Sequence, residues 1–204
     1  LAFTSNVTAG SLLTAVFRIG TTGTRTITGL SDDKSNTYTE AFFLSAPDPG
    51  NAFSHYVYYA MNAASGSTTV TVTLVDANSS VRWAIHEYSG LATTSALDQV
   101  SGRENTPAST TVSTANVTTT LANELLFVSG CFFGATPSAG SNYTGRESLA
   151  TRVFTEDRIV SSTLTTNGTF TVSPSATSTC AITTFKAPVL GPGVGSILRM
   201  GVGR

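Results

Sequence analysis

The feature that most limits what this chain can become is a period-two alternation of apolar and polar residues that recurs along nearly its whole length. It is cleanest at 68–74, where Val70, Val72 and Leu74 point one way while Thr69, Thr71 and Thr73 point the other. That is the pattern of a strand with one wet face. Similar runs occupy 12–19, 24–28, 38–44, 53–61, 81–88, 110–117, 124–133, 153–160, 168–172 and 179–185. Turn residues punctuate them at Thr22-Gly23, Asp32-Asp33, 47–50, Ser65-Gly66, 77–79, Ser89-Gly90, 137–142, Asn167-Gly168 and Pro174-Ser175. No segment keeps a helical period beyond a turn or two. The expected fold is therefore all-β, an antiparallel β-sandwich of jelly-roll or Ig-like Greek-key form. The residues expected to face inward are Leu13, Ala15, Phe17, Val70, Val72, Leu74, Trp83, Ile85, Leu125, Phe127 and Ile182.

A chain of 204 residues suits one large sandwich. Only 11% of residues are charged against 40% hydrophobic, so enough apolar surface exists to offset the entropy of ordering the backbone. Thr, Ser, Asn and Gly carry the polarity, which favours strands and tight turns over helices. The balance of 11 basic and 12 acidic residues gives a formal charge of -1, which lacks the positive surplus that nucleic-acid binding needs. No apolar run approaches the roughly 20 residues of a membrane-spanning helix. The chain opens at Leu1 without a Met or a signal-like segment and is expected to be processed, trimmed or incomplete at its N-terminus.

The two cysteines, Cys131 and Cys180, lie inside expected strands as small hydrophobes, and whether they face each other is open. Neither belongs to a CxxC pair, so metal and redox roles are not expected. After Lys186 the alternation stops, and 187–204 reads APVLGPGVGSILRMGVGR. The sandwich is thus expected over 1–186. The Gly/Pro-rich tail, which cannot build a core of its own, is expected to latch onto another surface, its own domain's or a neighbouring subunit's.

Several landmarks occur in a fixed order: NVTAGSLL at 6–13, SDDKSNTY at 31–38, VYYAMNAASGSTTVTVTL at 57–74, HEYSGL at 86–91 followed by Leu97-Asp98, NELLFVSG at 123–130, EDRIV at 156–160 and AITTFK at 181–186. Together they resemble a β-sandwich domain found in secreted and surface proteins of bacteria and in structural proteins of tailed bacteriophages. The resemblance implies a sandwich in an exposed setting, on a virion surface or outside the cell, acting by display or binding. It carries over no catalytic residue and no cofactor. Such domains have a complete strand before NVTAGSLL, of which Leu1, Ala2, Phe3 and Thr4 are what remains here. A sandwich short of that strand leaves a sheet edge open to a partner or to its own tail.

Candidate sites are few. His86 and Glu87 are adjacent on one strand and so point to opposite faces, which prevents them from acting on one substrate. One is expected to be packed and the other solvated. No GxSxG is present and His55 has no nearby carboxylate in sequence, so a nucleophilic triad lacks its parts. Asp32-Asp33 and Glu156-Asp157 have the oxygen chemistry for calcium but not the spacing, and no metal site is expected. The aromatic run FSHYVYY at 53–59 puts Tyr56 and Tyr58 on one face; with Tyr88 they form a candidate platform for stacking on sugars. The competing reading buries both faces, one in the sandwich and one in a subunit interface.

The reading that follows is a non-enzymatic structural or decorating component of a virion or other extracellular assembly, a homo-oligomer held by subunit contacts. The expected contact residues are Leu1, Ala2, Phe3, Thr4, Val189, Leu190, Ile197, Leu198 and Met200. The alternative is a carbohydrate-binding or adhesion module that holds surface glycans on Tyr56, Tyr58 or Tyr88.

Overall fold

The computed structural model describes residues 1–20, 26–46, 52–75, 80–149 and 151–189, together with the short strand Val202–Gly203. Every regular element among them is a β-strand. No helix of the described residues is long and apolar enough to cross a membrane.

Two antiparallel sheets form the sandwich. The first has the order β15 (Val202–Gly203), β6 (Val81–Tyr88), β1 (Leu12–Gly20), β4 (Phe53–Ala60) and β3 (Thr39–Ala46). The second runs β10 (Thr136–Ala139), β14 (Thr169–Phe185), β9 (Glu124–Phe132), β12 (Val153–Val160) and β11 (Thr144–Leu149), with β7 (Leu97–Ser113) also paired to β14. Between them lies a core that includes Leu12, Val16, Phe53, Val57, Tyr88, Leu125, Phe127 and Phe185.

Each sheet is also covered on its outer face. The hairpin-like pair β2 (Ile27–Asp32) and β5 (Val70–Leu74) lies over the first, burying Ala15, Phe17, Ile19 and Tyr56. Over the second, the end of β7 and the start of β14 join β8 (Val117–Thr118) and β13 (Thr165–Thr166), enclosing Leu126, Val128, Phe132, Phe170 and Ile182. The central strands β1 and β9 are therefore buried at nearly every position, because both their faces are covered. The inward set expected from sequence is a mixture of three cores: Leu13, Phe17 and Val70 lie under the outer hairpin, Leu125 and Phe127 between the sheets, and Ile182 on the far side.

Of two expected turns, the one at 137–142 is present in its second half, where the Tyr143 amide donates to the Gly140 carbonyl at 3.1 Å, while 137–139 belong to β10; Pro174-Ser175 instead lies inside β14, which unites the two separate strands read at 168–172 and 179–185. The expected strand 24–28 falls partly outside the described residues, and the observed β2 begins at Ile27. β7 starts well before the expected 110–117. Its stretch DQVSGRENTP alternates no apolar residues, because it lies at a largely wet rim and is held by backbone pairing to β14.

Candidate functional site

Sheet edges decide what a sandwich can join, since an edge strand presents unpaired N–H and C=O groups. β3 and β11 both carry register shifts, between Glu40 and Phe42 and between Gly145 and Glu147. Bulges of that kind twist an edge away from further pairing. β6 differs: it pairs with β1 without a shift from Leu12 opposite Tyr88 to Ile19 opposite Val81. On its other side only Val202 and Gly203 are paired, opposite Tyr88 and Glu87. Among the described residues, no strand covers 81–86 there. Beside this edge a groove of about 190 Å³ is lined by Leu1, Phe3, Trp83, Ile85, Glu147 and Leu149, among others.

The N-terminal segment forms one wall of that groove and is tied to its own chain. The Leu1 ammonium donates to the Val70 carbonyl at 2.9 Å, the Val70 amide donates to the Leu1 carbonyl at 2.8 Å, and the Phe3 amide donates to Thr68 at 3.0 Å. Leu1, Ala2 and Phe3 thus pair with Thr68, Thr69 and Val70 at the start of β5. Phe3 packs with Val7, Leu13 and Val70, so it belongs to the chain's own core and its expected role as an assembly contact is corrected. Leu1, Ala2 and Thr4 are exposed, as is Val189 at 84%. Leu190, Ile197, Leu198 and Met200 lie outside the described residues. A second cleft, of about 540 Å³, opens where the tail leaves the sandwich, between Thr93, Thr120, Leu121, Lys186 and Val189.

The tyrosine platform does not form. Tyr56 is fully buried, with its hydroxyl accepting the Thr26 amide at 2.9 Å, and Tyr88 is buried between the sheets with its hydroxyl donating to Asp157 at 2.8 Å. Tyr58 is half-buried, edge-on to Phe17, and donates to Glu40 at 3.1 Å. The cover that removes these rings from solvent is the β2–β5 layer of the same chain, which joins the Tyr56 and Tyr58 core through Ile27, Leu30, Val72 and Leu74. No family model, curated protein or solved structure matches the chain. Its chemistry has to be read from its own side chains.

His86 and Glu87 do face opposite ways. His86 lies between the sheets, bonded to the Thr155 hydroxyl at 3.0 Å, and burial pulls its pKa down to about 4. The expectation that one of the two is solvated fails, because Glu87 is buried as well: it accepts the Thr8 amide and the Ser11 hydroxyl, each at 2.7 Å, and so fastens the N-terminal loop. His55 is held between Thr179 and Ser129 hydroxyls at 3.0 and 2.9 Å, and burial lowers its pKa to about 3. Both rings are neutral inter-sheet pegs. Cys131 faces the core between the sheets while Cys180 faces the opposite core, so no disulfide can join them.

The carboxylates are engaged by protein donors. Asp32 accepts from the Lys34 and Asn36 amides, the Asn36 side chain and the Tyr38 hydroxyl, which organises its loop. Asp157 takes both prongs of Arg146, at 2.7 and 2.8 Å. Glu156 was a ligand candidate by residue type, but it is buried on the other face of β12. One of its oxygens accepts the Gly140 amide at 2.8 Å and the other has no partner. Burial raises its pKa to about 8. Sequence reasoning missed Arg18, a buried cation inside the apolar run LLTAVFRIG; its inward parity with Leu12, Thr14 and Val16 was the available signal.

Proposed function

We propose that this chain is a non-enzymatic structural or decorating component of an extracellular assembly, a bacteriophage virion being the setting its resemblance favours, and that neighbouring subunits join by strand addition along β6. The observation that carries this reading is the unshifted edge at 81–86, which lies next to the point where Val202 and Gly203 already pair. Strand addition draws its affinity from main-chain hydrogen bonds and its selectivity from side chains set into adjacent pockets. The groove lined by Leu1, Trp83, Ile85 and Leu149 offers such a pocket, and the exposed Leu1 and Val189 suit burial by a neighbour. A non-catalytic role fits the two histidines, both sealed among hydroxyls. The carbohydrate-binding alternative has lost Tyr56 and Tyr88 as stacking surfaces and would need another face.

The test compares the full chain with a chain ending at Pro188, by size exclusion with light scattering and by binding of a peptide spanning 189–204. The full chain is expected to associate as concentration rises; the shortened chain is expected to lose that association and to capture the peptide. A shortened chain that neither associates nor captures the peptide refutes strand addition.

A further inference from the structure

The strands of both sheets place a group of cations at one end of the sandwich. β1 ends there at Gly20, β4 begins there at Phe53, β9 ends there at Phe132 and β12 begins there at Val153, with the Phe132 amide donating to the Arg152 carbonyl at 2.8 Å. Strand parity turns Arg18 into the space between the sheets, where it is only 3% exposed and its guanidinium lies 4.4 Å over the Phe53 ring. Arg152 lies in the same way over the Phe133 ring at 4.3 Å. Arg18 Nε and Arg152 Nη1 are both buried with no hydrogen-bond partner.

This is an expensive arrangement for a protein to leave unanswered. A guanidinium cannot escape its charge by losing a proton, and burying one of its donors without an acceptor is unfavourable. Stacking on Phe53 offsets only part of that loss. Burial is the largest influence against the charge on Arg18; the Cys131 thiol opposes it, and the nearby Arg152 and Arg82 add to it. Among the described residues, no carboxylate forms an ion pair with Arg18 or Arg152.

We propose that the Arg18–Arg152 end of the sandwich is an anion-binding site, whose ligand presents an oxyanion group (carboxylate, sulfate or phosphate) to the unpartnered guanidinium nitrogens. The planar guanidinium matches such groups in geometry and is weakly hydrated, so it loses little on pairing in a partly dry site. The half-exposed Phe133 ring beside Arg152, 39% accessible, gives a larger ligand an apolar face to rest on. The site lies at the opposite end of β6 from the paired Val202 and Gly203, so it is separate from strand addition.

The experiment measures the melting temperature of the full chain against sodium sulfate, phosphate, acetate and glucuronate, each compared with chloride at equal ionic strength. A ligand that binds only the folded state raises the melting temperature in a saturable way. The expected result is a saturable rise with at least one oxyanion at millimolar concentration, and at least a tenfold loss of apparent affinity in Arg152→Met. Arg18→Met is expected to melt no lower than wild type without added anion, since among the described residues no carboxylate pairs with the buried guanidinium that it replaces by an apolar side chain, and to lose the anion response. A stronger rise with glucuronate than with acetate identifies an acidic sugar as the ligand, whereas sulfate or phosphate alone identifies the free ion. The proposal is overturned if the melting temperature follows ionic strength only, or if both variants keep the full anion response.

Discussion

Replacing Glu156 by Gln should make the stability of this protein far less sensitive to pH on the alkaline side. The carboxyl is fully buried, one of its oxygens accepts the Gly140 amide, and the other has no hydrogen-bond partner. Burial is the largest reason that its pKa rises from 4.5 to about 8; the nearby Asp157 charge adds to the rise, while the Gly140 and Thr169 amides oppose it. Between those two values the folded protein holds a proton that the unfolded chain has already released, so unfolding releases protons and stability falls as pH rises. The contribution is complete below 4.5 and is lost as pH climbs through about 8. At about 1.4 kcal/mol for each pH unit, the gap corresponds to roughly 5 kcal/mol. Gln keeps the shape and an oxygen for the Gly140 amide but has no proton to lose. Urea unfolding of both proteins from pH 4.5 to 9 reads the effect, and the difference between the two curves isolates Glu156 from every other titrating group. The variant should match wild type within about 1–2 kcal/mol near pH 4.5, allowing for an imperfectly bonded buried amide, and exceed it increasingly towards pH 9. Two curves that run parallel across this range would refute the reasoning, because Glu156 would then titrate alike in both states.

On the acid side the histidines set the opposite slope: His86 and His55 are neutral when folded, with pKa values near 4 and 3 against an ordinary 6.5, so their contribution is present above 6.5 and is lost as pH falls below it. His86→Gln, which can still bond Thr155, should flatten the fall measured by urea midpoint between pH 6.5 and 4. Gly140→Ala places a Cβ 2.1 Å from the Thr169 carbonyl oxygen and should cost about 1–3 kcal/mol in the same assay. Phe3→Ala should cost about 3 kcal/mol even where the chain is monomeric, since the ring packs on Val7, Leu13 and Val70; an unchanged monomer stability would return Phe3 to the role of an intersubunit contact. Both thiols should resist a thiol reagent in native buffer and titrate fully as two free groups in denaturant, because burial raises both pKa values, that of Cys180 to about 12.

What the sequence by itself determined was the material: strands, their approximate ends, and which residues share a face. Period two is a property of a single strand, so the limits of β6 and β12 and the opposed directions of His86 and Glu87 were legible without any partner. The tertiary structure decided what lies against each face. An alternating strand reads the same whether its second face meets water or another layer, and only the β2–β5 cover shows that Tyr56 is interior. The polar first part of β7 and the continuity of β14 through Pro174 were invisible for a related reason, since backbone pairing to a distant strand holds them in place of a local apolar rhythm. The same holds for the polar groups: His55 finds its partner 124 residues away, and Arg18 and Glu156 each have a polar atom left without one. Whether a buried charge is answered depends on groups that chain folding brings together from far apart, and that information is not carried by any local pattern of residues.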